Sequence, residues 1–228
     1  MNRRAMTIKT ILFDAGGTLV FPSFERIVRE LAADGINADA AALARADAIV
    51  RFGMDRPEII AATTDDSRFR RYLDTLVREV GIAQLPDDTF ARLSAYHRVH
   101  NLWEDVPSDV SGALEALRGR FRLGVVSNAN GTVRAKLSRL KLADFFETIV
   151  DSFEEGIEKP DPRIFHVALK RMDIEARHTA YVGDLFHVDI VGAQAAGLRT
   201  FLLDPVDLHV GRSVARIRAL GDLIHCND

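Results

Sequence analysis

Short apolar runs and stretches with helical periodicity alternate along the second half of the chain. Five runs have the length of a strand, and they occupy residues 10–14, 123–127, 148–151, 179–182 and 199–203. Between the later runs, apolar residues recur at helical spacing, as they do at Val133, Leu137 and Leu140. Such repeated strand–helix units predict an α/β fold with a doubly wound, Rossmann-like parallel sheet covered by helices.

The interval between residues 20 and 105 breaks this rhythm. It has no comparable strand run, but its apolar residues show helical spacing over residues 27–31, 41–49, 69–80 and 90–97. We therefore predict an all-helical domain, residues 20–105, inserted into an α/β core that consists of residues 1–19 and 106–228. Pro22 and Pro107 flank the insertion, and the fixed φ of proline suits the two crossings of a hinge.

The composition is that of an ordinary globular protein. Of the 228 residues, 47% are hydrophobic and 28% are charged, which is enough for a core of useful size. With 30 Lys and Arg against 33 Asp and Glu, the net charge of -3 favours neither nucleic acid nor an anionic membrane as a partner. The pattern makes no prediction of an oligomeric state.

Neither an export signal nor a membrane span is predicted. The basic start of the chain is followed by a very short apolar stretch, Ile11 to Phe13, before the charged Asp14, and no apolar run reaches about 18 residues. Cys226 is the single cysteine, so an intramolecular disulfide is impossible and a reducing compartment is favoured. We expect a cytoplasmic protein.

Polar residues follow the predicted strands at the points where the strands end. They are Asp14 to Thr18 after the first run, Ser127 and Asn128 after the second, Asp151 in the third, and Asp184 and Asp189 after the fourth. The carboxyl ends of parallel strands meet at one edge of a sheet, and ligands of such folds bind there. We therefore expect these groups to form one site.

Asp14 has the setting of a nucleophile. The two glycines that follow leave its carboxylate accessible, and the N–H groups of the Gly16–Thr18 turn can form a nest for an anion. Asp184 and Asp189 are expected to converge with Asp14 around a hard cation such as Mg²⁺, which prefers carboxylate oxygens. A purely structural alternative makes Asp14 the cap of a strand-to-helix turn and Asp189 a charge stabilised by a helix N-terminus.

Lys159 is the candidate for a catalytic cation. The prolines of its Lys-Pro-Asp-Pro sequence stiffen the segment, and a rigidly mounted ammonium group can neutralise Asp14 or an anionic substrate. The hydroxyls of Thr18 and Ser127 can hydrogen-bond a phosphoryl oxygen, although hydroxyls at strand ends often serve only to form turns.

With four such motifs in this order, the sequence resembles the hydrolases of the haloacid dehalogenase superfamily that carry a helical cap. The motifs are Phe13 to Leu19, Val126 to Asn128, Lys159 to Pro162, and Gly183–Asp184 with Asp189. The resemblance implies a Mg²⁺-dependent phosphatase of small phosphate monoesters, in which Asp14 attacks phosphorus and forms an aspartyl phosphate that water then hydrolyses. It also implies that the helical insertion is a cap that closes over the site and selects a small-molecule substrate.

The resemblance also implies a role for each motif residue. The catalytic residues would be Asp14, Thr18, Ser127 and Lys159. Gly17 and Asn128 would also contact the phosphoryl group. The metal would be held by Asp14, Asp184, Asp189 and the backbone carbonyl of Gly16.

One position departs from the phosphatase pattern. Phosphatases of this superfamily usually have a second Asp two residues after the nucleophile, where it acts as general acid and then as general base, and this chain has Gly16 there. Loss of such a group typically lowers the rate by about 10²–10⁴-fold. One interpretation is a phosphatase that is slow, restricted to good leaving groups or supplied with a proton donor by the helical domain.

Two other interpretations stay open. A C–halogen hydrolase would also lack the second Asp, but such enzymes dispense with Mg²⁺, whereas this chain retains Asp184 and Asp189. A weakly active or non-catalytic phosphate-binding regulatory protein would keep the site without efficient turnover. A further branch of the superfamily forms a Schiff base on a cap lysine. Residues 20–105 contain no lysine, so this chemistry is excluded.

Overall fold

The computed structural model describes residues 7–63 and 65–227, and the chain forms two compact units. One is an α/β unit that extends up to Phe21 and resumes at Glu104. The other is a helical unit that comprises Pro22–Trp103. The sequence pattern had suggested boundaries at residues 20 and 105.

A parallel sheet forms the centre of the α/β unit. Its strands are β1 (Thr10–Phe13), β4 (Arg122–Ser127), β5 (Thr148–Asp151), β6 (Thr179–Gly183), β7 (Arg199–Leu203) and β8 (Ala215–Ile217). They are hydrogen-bonded in the order β5-β4-β1-β6-β7-β8, and every pair is parallel. Because β1 lies between β4 and β6, the residue that follows β1 emerges in the middle of the carboxyl edge. Two short strands, β2 (Phe21–Pro22) and β3 (Trp103–Asp105), form a separate two-stranded sheet.

Helices connect the strands of the large sheet. They are α6 (Val110–Arg118), α7 (Val133–Arg139), α8 (Ser152–Glu155), α9 (Pro162–Met172) and α10 (Val191–Ala195). The sequence fixes the start of α9, because Pro162 occupies its first turn and the Asp161 carboxylate accepts the Arg163 N–H at 2.9 Å. The apolar side of α9 then packs on the sheet through residues that include Phe165 and Ala168.

The helices α7 and α9 lie on opposite faces of the sheet. The connection through α7 leads outward from β4 to the edge strand β5, whereas the connection through α9 leads back from β5 to β6. Crossovers between parallel strands are right-handed, so two connections that run in opposite directions along the sheet cover opposite faces. Loops from both faces therefore reach the carboxyl edge.

The helical unit contains α1 (Phe24–Ala33), α2 (Ala40–Met54), α3 (Pro57–Ala62), α4 (Asp65–Glu79) and α5 (Asp87–His100). Its core is apolar and includes Leu43 and Leu73, both fully buried. One carboxylate lies inside this core: Asp47 accepts hydrogen bonds from the Tyr72 hydroxyl at 2.7 Å and from Arg51 Nε at 2.9 Å. These two partners offset the cost of burying its charge.

The predicted α/β class with a parallel sheet is confirmed. The five apolar runs correspond to β1, β4, β5, β6 and β7, with no end displaced by more than one residue. The sixth strand, β8, was not predicted, because two of its three residues are exposed and it has no apolar run. Within the part of the chain that the structure describes, no helix combines the length and apolar character that a membrane span requires.

Candidate active site

The candidate site lies at the carboxyl edge of the sheet and begins at Asp14. This residue follows β1 directly and remains tied to the sheet, because its N–H donates to the carbonyl of Val182 at 2.8 Å. The chain then turns tightly, with the N–H groups of Leu19 and Val20 both donating to the Ala15 carbonyl at 2.9 and 3.0 Å. Gly17 has a φ of 83°, a left-handed conformation that glycine adopts without strain.

Three carboxylates meet at this edge. One oxygen from each of Asp14, Asp184 and Asp189 lies within 4.8 Å of the others, and all three residues are buried. Asp184 follows β6, and Asp189 lies in a π-helical turn, Phe186–Ile190, that leads into α10. The structure therefore brings together the three acids that were predicted to converge.

Lys159 lies between two of these carboxylates. Its Nζ donates to Oδ1 of Asp14 and to Oδ1 of Asp189, each at 2.6 Å, and to the hydroxyl oxygen of Tyr181 at 3.0 Å. Burial by itself would lower the pKa of Lys159, but the charges of Asp14 and Asp189 outweigh it and raise that pKa. The lysine is therefore a fixed cation within the site.

The Asp14 carboxyl is subject to burial and to the charges of Lys159 and Asp189. Burial raises the pKa of the Asp14 carboxyl, and the Lys159 ammonium opposes this shift. The cluster holds three carboxylates, and one ammonium group contacts two of them, so it carries excess negative charge in a buried position. Such a cluster is a favourable environment for a further cation.

The Asn128 side chain is directed at the backbone of Lys159. Its Nδ2 donates to the Lys159 carbonyl at 3.0 Å, and its Oδ1 accepts the Lys159 N–H at 2.8 Å. These two hydrogen bonds join the loop after β4 to the segment before α9. The predicted contact of Asn128 with phosphate stays a prediction, and in the structure the side-chain amide of Asn128 bonds the backbone of Lys159.

The two predicted hydroxyl residues are also at the edge. Thr18 Oγ1 donates to Oδ1 of Asp184 at 3.4 Å. Ser127 is the last residue of β4 and is buried, with its Oγ at 3.5 Å from the carbonyl oxygen of Asn128. Gly16 and Gly17 lie in the turn between Asp14 and Thr18.

Tyr181 belongs to the cluster. It was not predicted as a site residue, because it lies inside an apolar run that indicates only a strand. Its hydroxyl accepts from Lys159 and lies 3.0 Å from the Val126 carbonyl and 3.1 Å from Oδ1 of Asp189, so its own proton bonds one of these two acceptors. Burial, with the charge of Asp189, raises the pKa of Tyr181 well above its usual value. A fully buried tyrosine needs a hydrogen-bond partner, and this requirement was the available signal.

Gly183 leaves room for Asp189. A Cβ at position 183 would lie 2.4 Å from Cγ of Asp189 and 2.5 Å from its Oδ2. That oxygen also accepts the Leu185 N–H at 2.9 Å, so the carboxylate is fixed from several directions and has little freedom to move away. The glycine before Asp184 is therefore a packing requirement of the site.

The sequence matches the family model of haloacid dehalogenase-like hydrolases over residues 8–197. The chain therefore belongs to this family and is a hydrolase. The parallel sheet and the cluster at its carboxyl edge are the features on which its four motifs converge.

Relatives and a solved structure extend this finding. The chain is 33% identical over 196 residues to the glyceraldehyde 3-phosphate phosphatase of Methanopyrus kandleri, covering 85% of this chain and 82% of that protein. It is 32% identical over 136 residues to the protein of the same name from Pyrococcus abyssi, a match that spans 59% of this chain and 57% of that one. The fold is similar to that of the HAD-hydrolase YfnB from Bacillus subtilis, with a TM-score of 0.73, 24% identity, and coverage of 97% and 99% of the two chains.

The Gly183→Ala variant is expected to displace Asp189. Because the added methyl group overlaps the carboxylate, we expect a loss of about 1–3 kcal/mol in the free energy of unfolding, measured by urea denaturation. Gly112→Ala is the matched control, since position 112 has open space around its Cβ and lies in α6, where alanine is favoured. Equal stability of the two variants would contradict a packing role for Gly183.

Proposed function

We propose that this hydrolase is a Mg²⁺-dependent phosphatase of small phosphate monoesters that works through an aspartyl phosphate on Asp14. The observation that carries the proposal is the buried contact between Asp14 and Lys159, 2.6 Å from Oδ1 to Nζ, beside the carboxylates of Asp184 and Asp189. A fixed ammonium group next to the attacking oxygen can stabilise the charge of a transferring phosphoryl group. The relatives named as glyceraldehyde 3-phosphate phosphatases support this chemistry.

The reaction would proceed in two displacements. A carboxylate oxygen of Asp14 attacks phosphorus, a new O–P bond forms, and the bond between phosphorus and the ester oxygen breaks. The departing alcohol takes up one proton. Water then attacks the phosphorus of the acyl phosphate, inorganic phosphate leaves, and Asp14 returns as a carboxylate.

Mg²⁺ fits the donor set of this cluster. Its ligands are hard oxygens, and the excess negative charge favours a divalent cation. Asp189 already accepts hydrogen bonds from Lys159 and Tyr181, so we assign the direct contacts to Asp14, Asp184 and the Gly16 carbonyl, with Asp189 assisting from behind. When bound, the ion would neutralise charge on the phosphoryl oxygens.

The remaining motif residues divide into two groups. Lys159, Ser127 and the N–H of Gly17 are assigned to the phosphoryl oxygens. Thr18 would orient the Asp184 carboxylate to which it donates. Asn128 would act through Lys159, because its side-chain amide brackets the lysine backbone.

The helical unit is the part of the chain that we assign to substrate selection, because it is inserted directly after the turn that carries the nucleophile. Glyceraldehyde 3-phosphate is the first natural monoester to test, since both relatives described above carry its name.

Gly16 decides which esters would be cleaved well. No carboxyl group at this position can protonate the departing alcohol, so esters of acidic alcohols, which leave without protonation, are favoured. The same glycine favours a second candidate, a C–halogen hydrolase, because halide also leaves without a proton. The two additional buried carboxylates, Asp184 and Asp189, oppose this second candidate, since attack on carbon does not require a metal site.

The Asp14→Asn variant tests the nucleophile. Phosphate release from an activated aryl phosphate and from glyceraldehyde 3-phosphate is measured with and without Mg²⁺, beside halide release from a 2-haloacid. The wild type is expected to release phosphate only with Mg²⁺, and the variant to lose at least about 10³-fold in turnover because its amide is a poor nucleophile. Asp109→Asn, at an exposed carboxylate that forms no cap bond, is the control.

Each other outcome has a definite meaning. Halide release without phosphate release would establish the C–halogen hydrolase. Phosphate binding without turnover of any substrate would establish the regulatory protein. Turnover that survives in Asp14→Asn would overturn the mechanism.

The Asp184→Asn variant tests the metal assignment. Replacing one charged ligand by a neutral amide weakens the attraction for a divalent ion, so the Mg²⁺ concentration for half-maximal activity is expected to rise about tenfold or more. The Asp109→Asn control should leave it unchanged. An unaltered Mg²⁺ dependence in Asp184→Asn would remove this residue from the metal site.

The Gly16→Asp variant tests the missing proton donor. We expect kcat to rise at least about tenfold, and most for esters with poor leaving groups, since general acid catalysis commonly contributes about 10²–10⁴-fold. Gly16→Asn is the matched control, because it adds nearly the same volume without an ionisable group. If both variants are slower than the wild type, the site requires glycine at position 16, and this position cannot hold a general acid.

A further inference from the structure

Lys136 is a buried lysine that belongs to none of the four motifs. It is the middle residue of α7 and only 4% of it is exposed, whereas Lys170 in α9 is an exposed lysine of the usual kind. A lysine can bury its stem and keep its ammonium group in water, but so low an exposure leaves that group mostly desolvated. The position therefore calls for an explanation.

Two carboxylates of the carboxyl edge act on this ammonium group. Burial lowers the pKa of Lys136 to about 8, and the charges of Asp14 and Asp151 counteract part of this effect. Arg139, one turn further along α7, acts in the same direction as burial because its charge repels a second cation. Geometry gives the direction of this side chain. Side chains of a helix lean toward its N-terminus, and the first residue of α7, Val133, donates its N–H to Oδ2 of Asp151 at 3.3 Å, so the Lys136 side chain leans toward the carboxyl edge.

Neither carboxylate bonds this lysine. The oxygens of Asp151 accept the N–H groups of Phe153 and Val133, at 3.0 and 3.3 Å, and Asp14 is bonded to Lys159. Over residues 7–63 and 65–227, the structure shows no hydrogen bond or ion pair from Lys136 to any side chain or carbonyl. The Nζ of Lys136 is not among the inaccessible polar atoms that lack a hydrogen bond, so the ammonium group keeps a small accessible surface at which an anion can bind.

The two buried lysines belong to segments that lead to the carboxyl edge from different faces of the sheet. Lys159 precedes α9, and Lys136 lies in α7, and these helices cover opposite faces of the sheet. A phosphoryl group in contact with Asp14 would have several oxygens, and a cation on the α7 face would contact those that point away from Lys159. With the divalent cation that we assign to this cluster, the three carboxylates and the ammonium of Lys159 sum to no net formal charge, so a further cation would be needed to balance an entering phosphate dianion.

We propose that Lys136 is a second phosphate-binding cation, whose ammonium group contacts the phosphoryl oxygens on the side of Asp14 away from Lys159. This inference rests on the proposed phosphatase function and adds a residue to that site. The competing explanation is a structural one, in which Lys136 only balances the charge of Asp151. The two explanations differ in what happens when the charge is removed.

The test compares Lys136→Met with Lys136→Arg and with the control Lys170→Met. Binding of inorganic phosphate in the presence of Mg²⁺ is measured by isothermal titration calorimetry. KM and kcat are determined with an activated aryl phosphate, and the thermal midpoint is determined by differential scanning calorimetry. Methionine keeps most of the length and volume of lysine but has no charge.

For Lys136→Met we expect a phosphate Kd and a KM at least about tenfold above the wild type, with a thermal midpoint that is unchanged or higher because a desolvated charge is removed. Lys136→Arg should recover part of the phosphate affinity, and Lys170→Met should match the wild type. Phosphate affinity in Lys136→Met equal to the wild type would overturn the inference. A lowered thermal midpoint of Lys136→Met with unchanged phosphate affinity would also overturn the inference, because it identifies Lys136 as a structural counter-ion of Asp151.

The same measurements separate this inference from the proposed function. A wild type that turns over the aryl phosphate, beside a Lys136→Met variant with normal KM and phosphate Kd, refutes the role of Lys136 alone. A wild type that neither binds phosphate nor releases it refutes both.

Discussion

The ammonium group of Lys159, held between Asp14 and Asp189, is the interaction on which the rest of this site depends. Burying a charge is costly unless the charge is paired and hydrogen-bonded, and both carboxylates lie at 2.6 Å from Nζ. Removing the lysine would leave adjacent buried carboxylates with no cation between them. The surrounding structure therefore has to fix the position of one nitrogen atom.

Several local features serve this purpose. Asn128 brackets the backbone of Lys159 with two hydrogen bonds, and Tyr181 places its hydroxyl at 3.0 Å from the ammonium group. Gly192 allows the segment after Lys159 to approach α10, since a Cβ there would lie 2.5 Å from the carbonyl oxygen of Pro160. Gly183 does the same for Asp189. Residues from four separate parts of the chain thus converge on one charge, which a loop on its own could not hold.

The parts of this arrangement that follow a repeating pattern were predictable from the sequence. Apolar runs located β1 and β6, and the rule that parallel strands share a carboxyl edge brought Asp14 and Asp184 together. Tyr181 and Lys136 were not predicted, because each lies in a segment whose periodicity describes only a strand or a helix. The partner of Asn128 was also missed, since a side chain that bonds backbone 31 residues away leaves no local signature. The hydrophobic pattern therefore predicts the secondary structure of the backbone. The hydrogen-bond partner of a side chain depends on contacts that form only in the folded protein.

Gly16 is informative because the backbone does not demand it. Positive φ values occur at Gly17 and at six other glycines among the described residues, and Gly16 is not one of them. Where φ lies outside the left-handed region, a side chain can be accommodated without backbone strain. The left-handed backbone that accounts for the glycine at position 17 therefore does not account for the glycine at position 16. A chemical reason would be that the leaving group departs as an anion or receives its proton from another donor, and the Gly16→Asp and Gly16→Asn variants separate this reason from a packing one.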